Sequence, residues 1–158
     1  MAAAGPLAAA EKAKGPVTGL PLPRFVSLKA GKVNVRNGPS LGHKIVWVYE
    51  RAGMPVEVIA EHERWRRIRD RDGTVGWVFF RLLDGERTVI VESMTAGDLI
   101  DLRSDPEDGS ATVARLEPGI IARLESCEKD WCQINVHSYD GWIERRLLWG
   151  VYPDEEID

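Results

Sequence analysis

The sequence predicts an all-β chain that folds into two small β-barrels in tandem, with helical structure limited to short turns or 3₁₀ segments. Three observations support this prediction: an internal repeat, apolar alternation of the kind found in strands, and turn residues at intervals of roughly 8–12 residues. The chain has 158 residues, of which 44% are hydrophobic, so a packed core is expected.

The internal repeat is the strongest of these observations. Four groups of residues recur in the same order, at offsets of 67, 66, 65 and 65: Val33–Pro39 with Ile100–Pro106, Trp65 with Trp131, Gly76-Trp77 with Gly141-Trp142, and Arg81–Leu83 with Arg146–Leu148. Each change of offset requires a one-residue gap, and both gaps fall where turns are expected. The chain therefore divides into a linker (1–23), a first repeat (24–84) and a second repeat (85–158).

Residues 1–23 are rich in Ala, Gly and Pro and show no helical period. We expect a flexible linker of the kind that follows a signal-peptide cleavage site, which predicts a periplasmic or secreted protein. A cytosolic protein with a ragged terminus is the alternative. No apolar run approaches the roughly 18 residues of a membrane-spanning helix, so no membrane span is predicted.

The two repeats differ in charge. The first contains 12 Lys and Arg against 7 Asp and Glu, a net charge of +5, and the second contains 7 against 17, a net charge of −10. The acidic half would weaken attraction to phosphates, so nucleic acid is not an expected partner.

Strands and turns alternate within each repeat. Apolar residues occupy every second position in 54–60 and again in 120–125, as in half-buried strands. The polar stretches 61–64 and 128–130 predict tight turns, as do Asp72-Gly73 and Asp140-Gly141.

The motifs "VNVRNGPS", "AGMPVEVI", "RWRRIR", "DGTVGWV" and "RLL" resemble, in this order, a bacterial SH3 domain. The second repeat contains "IDLRSDPE", "PGIIARL", "DWCQINV", "YDGWI" and "RLL", so the chain resembles a tandem bacterial SH3 protein of the Gram-negative envelope. The resemblance implies small barrels that act as binding modules, many of which recognise peptidoglycan or its peptides. In the second repeat, Asp105 and Glu107 replace the Gly and Ser that flank Pro39 in the first repeat. This departure puts a ligand role of the second repeat's first loop in doubt.

The glycine–tryptophan pairs predict structural positions. Gly76 and Gly141 would allow close backbone approach, and Trp77 and Trp142 would fill the two cores. Arg36 and Arg103 are expected to hold the first loop of each repeat by donating to backbone carbonyls.

The candidate ligand contacts are aromatic and basic. Trp65 and Trp131 open strands after turns, where a half-exposed ring offers a stacking platform; covering the barrel end is the alternative. Arg66 is the neighbouring candidate, although a solvated strand face with mixed ion pairs also explains its arginine-rich surroundings. Trp47 and Tyr49 are expected to form an outward pair that contacts either a ligand or, as we favour, the other repeat.

Cys127 and Cys132 flank a two-residue turn and would face each other across a hairpin, which predicts a disulfide in an oxidising compartment. Strict alternation places Cys127 on the outer face, so a β-bulge near the turn is required. Two free thiols are the alternative. Two cysteines fall short of four metal ligands, so no metal site is predicted.

No catalytic motif, phosphate loop or cofactor fingerprint is found, so we predict that the chain is not an enzyme and needs no cofactor. The leading hypothesis is an exported module that binds peptidoglycan or cell-wall peptides. The alternative is a structural or adaptor protein that contacts another envelope protein.

Overall fold

The computed structural model describes residues 12–158 and confirms an all-β chain with two tandem SH3-like units. Sixteen strands form two seven-stranded antiparallel sheets and one two-stranded hairpin. Within the described residues, the only helical segments are two 3₁₀ turns, Phe80–Leu82 and Arg145–Leu147.

The first sheet has the strand order β5-β4-β8-β7-β6-β3-β9. In chain order its strands are β3 (Arg24–Leu28), β4 (Val33–Arg36), β5 (Ile45–Tyr49), β6 (Pro55–His62), β7 (Trp65–Arg69), β8 (Val75–Phe79) and β9 (Leu83–Asp84).

The second sheet has the equivalent order, β12-β11-β15-β14-β13-β10-β16. Its strands are β10 (Thr88–Val91), β11 (Ile100–Arg103), β12 (Thr112–Leu116), β13 (Ile121–Glu128), β14 (Trp131–Val136), β15 (Tyr139–Glu144) and β16 (Leu148–Trp149). Across residues 12–158, the end strands of a sheet do not pair with each other, so both sheets are open and are not the closed barrels that the sequence predicts.

Each repeat has its own apolar core, built from the alternation seen in the sequence. Val56, Val58 and Ile68 are fully buried in the first core, and Ala122, Leu124 and Ile134 are buried in the second. The polar turns at 63–64 and 129–130 join β6 to β7 and β13 to β14.

The disulfide is confirmed and lies in the β13–β14 hairpin. Cys127 and Cys132 pair directly across the two strands, and their Cα atoms are 4.0 Å apart. The expected bulge lies between Leu124 and Ser126, and it brings both cysteines to the buried face.

The same register position in the first repeat holds an ion pair instead of a disulfide. Glu61 pairs directly with Arg66 across β6 and β7, and a bulge between Val58 and Ala60 precedes it. The two repeats therefore close equivalent hairpins with different chemistry.

Residues 12–23 are not the flexible linker that the composition predicts. β1 (Ala13–Lys14) pairs with β2 (Pro21–Leu22), and the turn between them docks on Glu61. The reason is the buried Glu61 carboxylate, which accepts hydrogen bonds from the backbone amides of this Pro- and Gly-rich turn. Without it, these amides would donate to water. Residues 1–11 of the predicted linker lie outside the described residues.

Aromatic contacts join the two repeats. Phe25 of β3 packs against Trp149 and Tyr152 of the second repeat, with ring centroids 5.1 Å and 4.6 Å away. The Tyr152 hydroxyl donates to Glu57 Oε2 at 2.7 Å, and the Thr88 hydroxyl donates to the Gly53 carbonyl at 2.6 Å.

Neither of the helical turns in 12–158 is long and apolar enough to cross a membrane.

A candidate ligand-binding groove

The first repeat contains an apolar groove of about 490 Å³ beside the aromatic pair Trp65 and Phe79. Trp65 begins β7 and Phe79 ends β8, so the antiparallel register places them opposite each other. Their ring centroids are 5.6 Å apart in an edge-to-face arrangement. The groove is lined by Asn34, Arg36, Pro39, Ser40, Leu41, Glu63, Trp65, Phe79 and Leu82.

The loop between β4 and β5 forms one wall of this groove and is held by Arg36. The Arg36 Nη1 atom donates to the carbonyl oxygens of His43 at 3.0 Å and Leu41 at 3.3 Å. The Ser40 hydroxyl also lies 2.7 Å from His43 Nδ1. These bonds preorganise the loop and leave the Leu41 side chain 77% exposed at the edge of the groove. The expected loop-fixing contacts of Arg36 are thus observed.

Trp65 is less exposed than the sequence predicts. Only 8% of the residue is accessible, because its ring packs against Phe79 and is covered on one side. It therefore lines the groove without presenting an open stacking face. Among the apolar residues that line the groove, only Leu41 of the neighbouring loop is exposed.

The equivalent region of the second repeat is divided into two cavities of about 570 Å³ and 230 Å³, and Trp131, Glu144 and Arg146 line both. Trp131 is present and half-buried, but Glu144 occupies the register position of Phe79. Glu144 forms an ion pair with Arg146 at 2.5 Å, and Arg103 holds its loop through the Ser110 carbonyl at 2.8 Å. The second repeat therefore has the arginine that holds the loop, but it has no aromatic residue opposite Trp131.

Arg66 does not reach the groove. It is 6% exposed, donates to the carbonyls of Glu63 and Trp65 at 2.9 Å, and lies 3.8 Å from the Glu61 carboxylate. Burial lowers the pKa of its guanidinium, and the Glu61 carboxylate opposes this effect. All of these contacts are internal, so Arg66 supports the hairpin.

Trp47 and Tyr49 are not the outward pair that the sequence predicts. They pair with the core residues Val35 and Val33, so both aromatic side chains share the core-facing side of the sheet. Tyr49 is buried, and its hydroxyl donates to Asp70 Oδ2 at 2.6 Å. Burial, reinforced by this carboxylate, raises the pKa of Tyr49. Trp47 remains 51% exposed because it lies near the free edge of the sheet.

These two aromatic residues line a crevice between the repeats. The crevice also includes Ile90 and Gly119 of the second repeat. The interface role that the sequence favours for Trp47 and Tyr49 stays a prediction.

Trp77 and Trp142 are half-buried, and the prediction that they fill the cores is wrong. Alternation along β8 and β15 places Gly76 and Val78, and likewise Gly141 and Ile143, on the buried side. A Cβ atom at Gly141 would lie 2.5 Å from Leu102 Cγ and 2.8 Å from the Arg103 carbonyl oxygen. The glycines therefore allow the neighbouring strand to approach closely, and each tryptophan side chain lies on the opposite side of its sheet.

Sequence reasoning missed several groove residues, including Leu41, Glu63 and Phe79. They come from three separate segments that meet only when the sheet forms. One signal was available: Phe79 and Glu144 occupy matching positions in repeats that otherwise preserve their motifs.

A sequence model described as the bacterial SH3 domain matches residues 29–85 and 96–150. The chain belongs to the bacterial SH3 domain family. One matched segment falls on each sheet, beginning after β3 in the first repeat and after β10 in the second, so the family assignment accounts for the repeat as well as for the fold.

No curated protein matches the sequence of the chain. Among solved structures, similar folds include NlpC2 and NlpC1 from Trichomonas vaginalis, each 13% identical with a TM-score of 0.36. Each alignment covers 80% of this chain but only 48% of NlpC2 and 45% of NlpC1. The chain thus spans less than half the length of these two proteins.

Proposed function

We propose that this chain is a non-catalytic exported binding module that holds a cell-wall component, peptidoglycan or its stem peptides, in the groove of the first repeat. The observation that carries the proposal is the apolar groove beside Trp65 and Phe79, whose loop wall is preorganised by Arg36. Membership of a family of binding modules supports it.

The chemistry of the groove fits a short peptide with small side chains. Its interior is formed mainly by aromatic and aliphatic groups, and burial of small apolar side chains there is favourable. Glu63 and Arg36 lie at its boundary and could pair with the free amino and carboxyl groups of such a peptide. Trp65 lines the groove, and we propose Leu41 as the most exposed contact.

Export is supported by the disulfide. Disulfides persist in oxidising compartments and are rare in the cytosol, and Cys127–Cys132 is formed in the second repeat. We therefore propose a periplasmic or secreted protein.

Co-sedimentation with purified peptidoglycan sacculi tests the proposal. Leu41→Asp places a charge in the groove without disturbing a core, and we expect roughly tenfold weaker binding, since a contacting leucine contributes about 1.5–3 kcal/mol. Leu20→Asp is the matched control, because Leu20 is also exposed but lies in the N-terminal hairpin. Equal binding by both variants, or no binding by the wild-type chain, would contradict the proposal.

An adaptor that contacts another envelope protein is the second candidate. The exposed apolar strand β5 at the edge of the first sheet favours it. An adaptor of this kind would leave sacculi unbound, so the same experiment separates the two functions.

A further inference from the structure

Strand β5 is an exposed apolar edge. Ile45, Val46, Trp47 and Val48 are consecutive, and 38–51% of each is accessible. Within residues 12–158, β5 pairs only with β4, so the outer row of its backbone groups has no strand partner. An exposed apolar edge of this kind is a template for pairing with another strand, and soluble proteins usually block it.

The second repeat blocks the equivalent edge. β12 has the sequence Thr-Val-Ala-Arg-Leu, and the Arg115 side chain is 69% exposed and paired with Asp101. A charged side chain on an edge strand opposes further pairing. The two repeats thus present edges of opposite character, and only the first is open to a partner.

Charges at the two ends of β5 identify a suitable partner. Lys44 precedes the strand and Glu50 follows it, both are exposed, and neither forms an ion pair within the described part of the chain. The segment Lys-Ile-Val-Trp-Val-Tyr-Glu is therefore complementary to itself when it is reversed.

We propose that β5 pairs antiparallel with β5 of a second copy of this chain, about a two-fold axis at Trp47. In this register Trp47 faces Trp47, Val46 faces Val48 and Lys44 faces Glu50 of the second copy. Such directly opposed aromatic, β-branched and opposite-charge pairs each contribute roughly 0.2–1 kcal/mol to strand pairing.

The same charges disfavour the competing arrangement. A parallel, in-register pairing would place Lys44 opposite Lys44 and Glu50 opposite Glu50, and like charges in direct opposition are destabilising. The antiparallel arrangement is also a closed two-fold contact, so it ends at a dimer and does not propagate into a fibre.

Sedimentation of the full chain over a wide concentration range tests this pairing. We expect the wild-type mass to rise from 17.7 kDa to twice that value as concentration increases. Val46→Lys places a charge on the edge and should leave a monomer. Val113→Lys makes the same change on β12 and should leave the dimer intact.

Charge reversal tests the register itself. Lys44→Glu and Glu50→Lys should each weaken dimerisation by roughly tenfold, because each variant creates two like-charge pairs across the axis. The double variant Lys44→Glu/Glu50→Lys restores opposite charges and should recover wild-type dimerisation. A monomeric wild-type chain, a dimer that survives Val46→Lys, or a double variant weaker than both single variants would overturn the inference.

Discussion

Glu61 is the residue on which docking of the N-terminal hairpin depends. Its side chain is fully buried, and its carboxylate accepts hydrogen bonds from the Val17 and Thr18 amides at 3.0 Å and from the Thr18 hydroxyl at 2.5 Å. The Arg24 guanidinium lies 3.0 Å away. Burial by itself raises the pKa of Glu61, but these hydrogen bonds and Arg24 outweigh it and hold the pKa at about 2.

This pKa predicts a specific loss of stability in acid. An unfolded glutamate titrates near 4.5, so the stabilisation by Glu61 is complete above that pH and is lost as the pH falls toward 2. The difference corresponds to on the order of 3 kcal/mol at neutral pH. Denaturant unfolding at a series of pH values should show this acid slope in the wild type and a shallower slope in Glu61→Gln. Identical slopes in both proteins would contradict the role of the carboxylate.

The disulfide performs the equivalent closing role in the second repeat. It joins residues five apart in sequence, and a loop this short gives an entropic stabilisation of roughly 2 kcal/mol. We expect Cys127→Ser/Cys132→Ser to lower the free energy of unfolding by about that amount while Glu61 docking is unchanged. Unfolding followed with and without a reductant checks this, because reduction should affect the wild type and leave the double variant unaffected.

Among the secondary-structure elements, the β11–β15 contact sets a strict demand on sequence. A side chain at Gly141 would meet both a leucine and a backbone carbonyl of β11, and the carbonyl cannot move without loss of strand pairing. Gly141→Ala should therefore cost roughly 1–3 kcal/mol, the usual range for overpacking. Gly31→Ala is the matched control, because no atom lies within 4 Å of the added methyl group. Equal thermal stability of the two variants would contradict this prediction, because it would show that the β11–β15 contact tolerates a side chain at position 141.

Some of these elements could be predicted from sequence and others could not. The Cys127–Cys132 pair, its bulge and the loop-fixing role of Arg36 follow from local spacing, so the sequence is sufficient to predict them. The orientation of β5 and β8 does not follow from local spacing. Both strands carry apolar residues at odd and even positions, so alternation cannot identify the buried side. The docking of residues 12–23 depends on Glu61, which is distant in sequence and has no local signal of burial.

For the whole molecule, the junction between repeats predicts coupled unfolding. Phe25 contacts two aromatic rings of the second repeat, and the Arg87 guanidinium lies 5.7 Å from its ring centroid. The Tyr152 hydroxyl adds a hydrogen bond to the buried Glu57, and burial, with this carboxylate, raises the pKa of Tyr152. We expect one calorimetric transition in the wild type.

Phe25→Ala removes the centre of this junction and should split or broaden the transition, because each repeat keeps its own core. Phe80→Ala is the control, since Phe80 is a partly exposed aromatic residue whose ring contacts lie within the first repeat. Two transitions already present in the wild type would show that the repeats unfold independently.

The central claim is that the groove beside Trp65 and Phe79 is the ligand site. Titration of the isotope-labelled chain with soluble peptidoglycan fragments, followed by amide and indole chemical shifts, tests it most directly. We predict saturable shifts at the Trp65 indole and at the loop of Pro39 and Leu41, with smaller changes around Trp131. Shifts confined to the second repeat or to β5, or the absence of any shift at high fragment concentration, would contradict the claim.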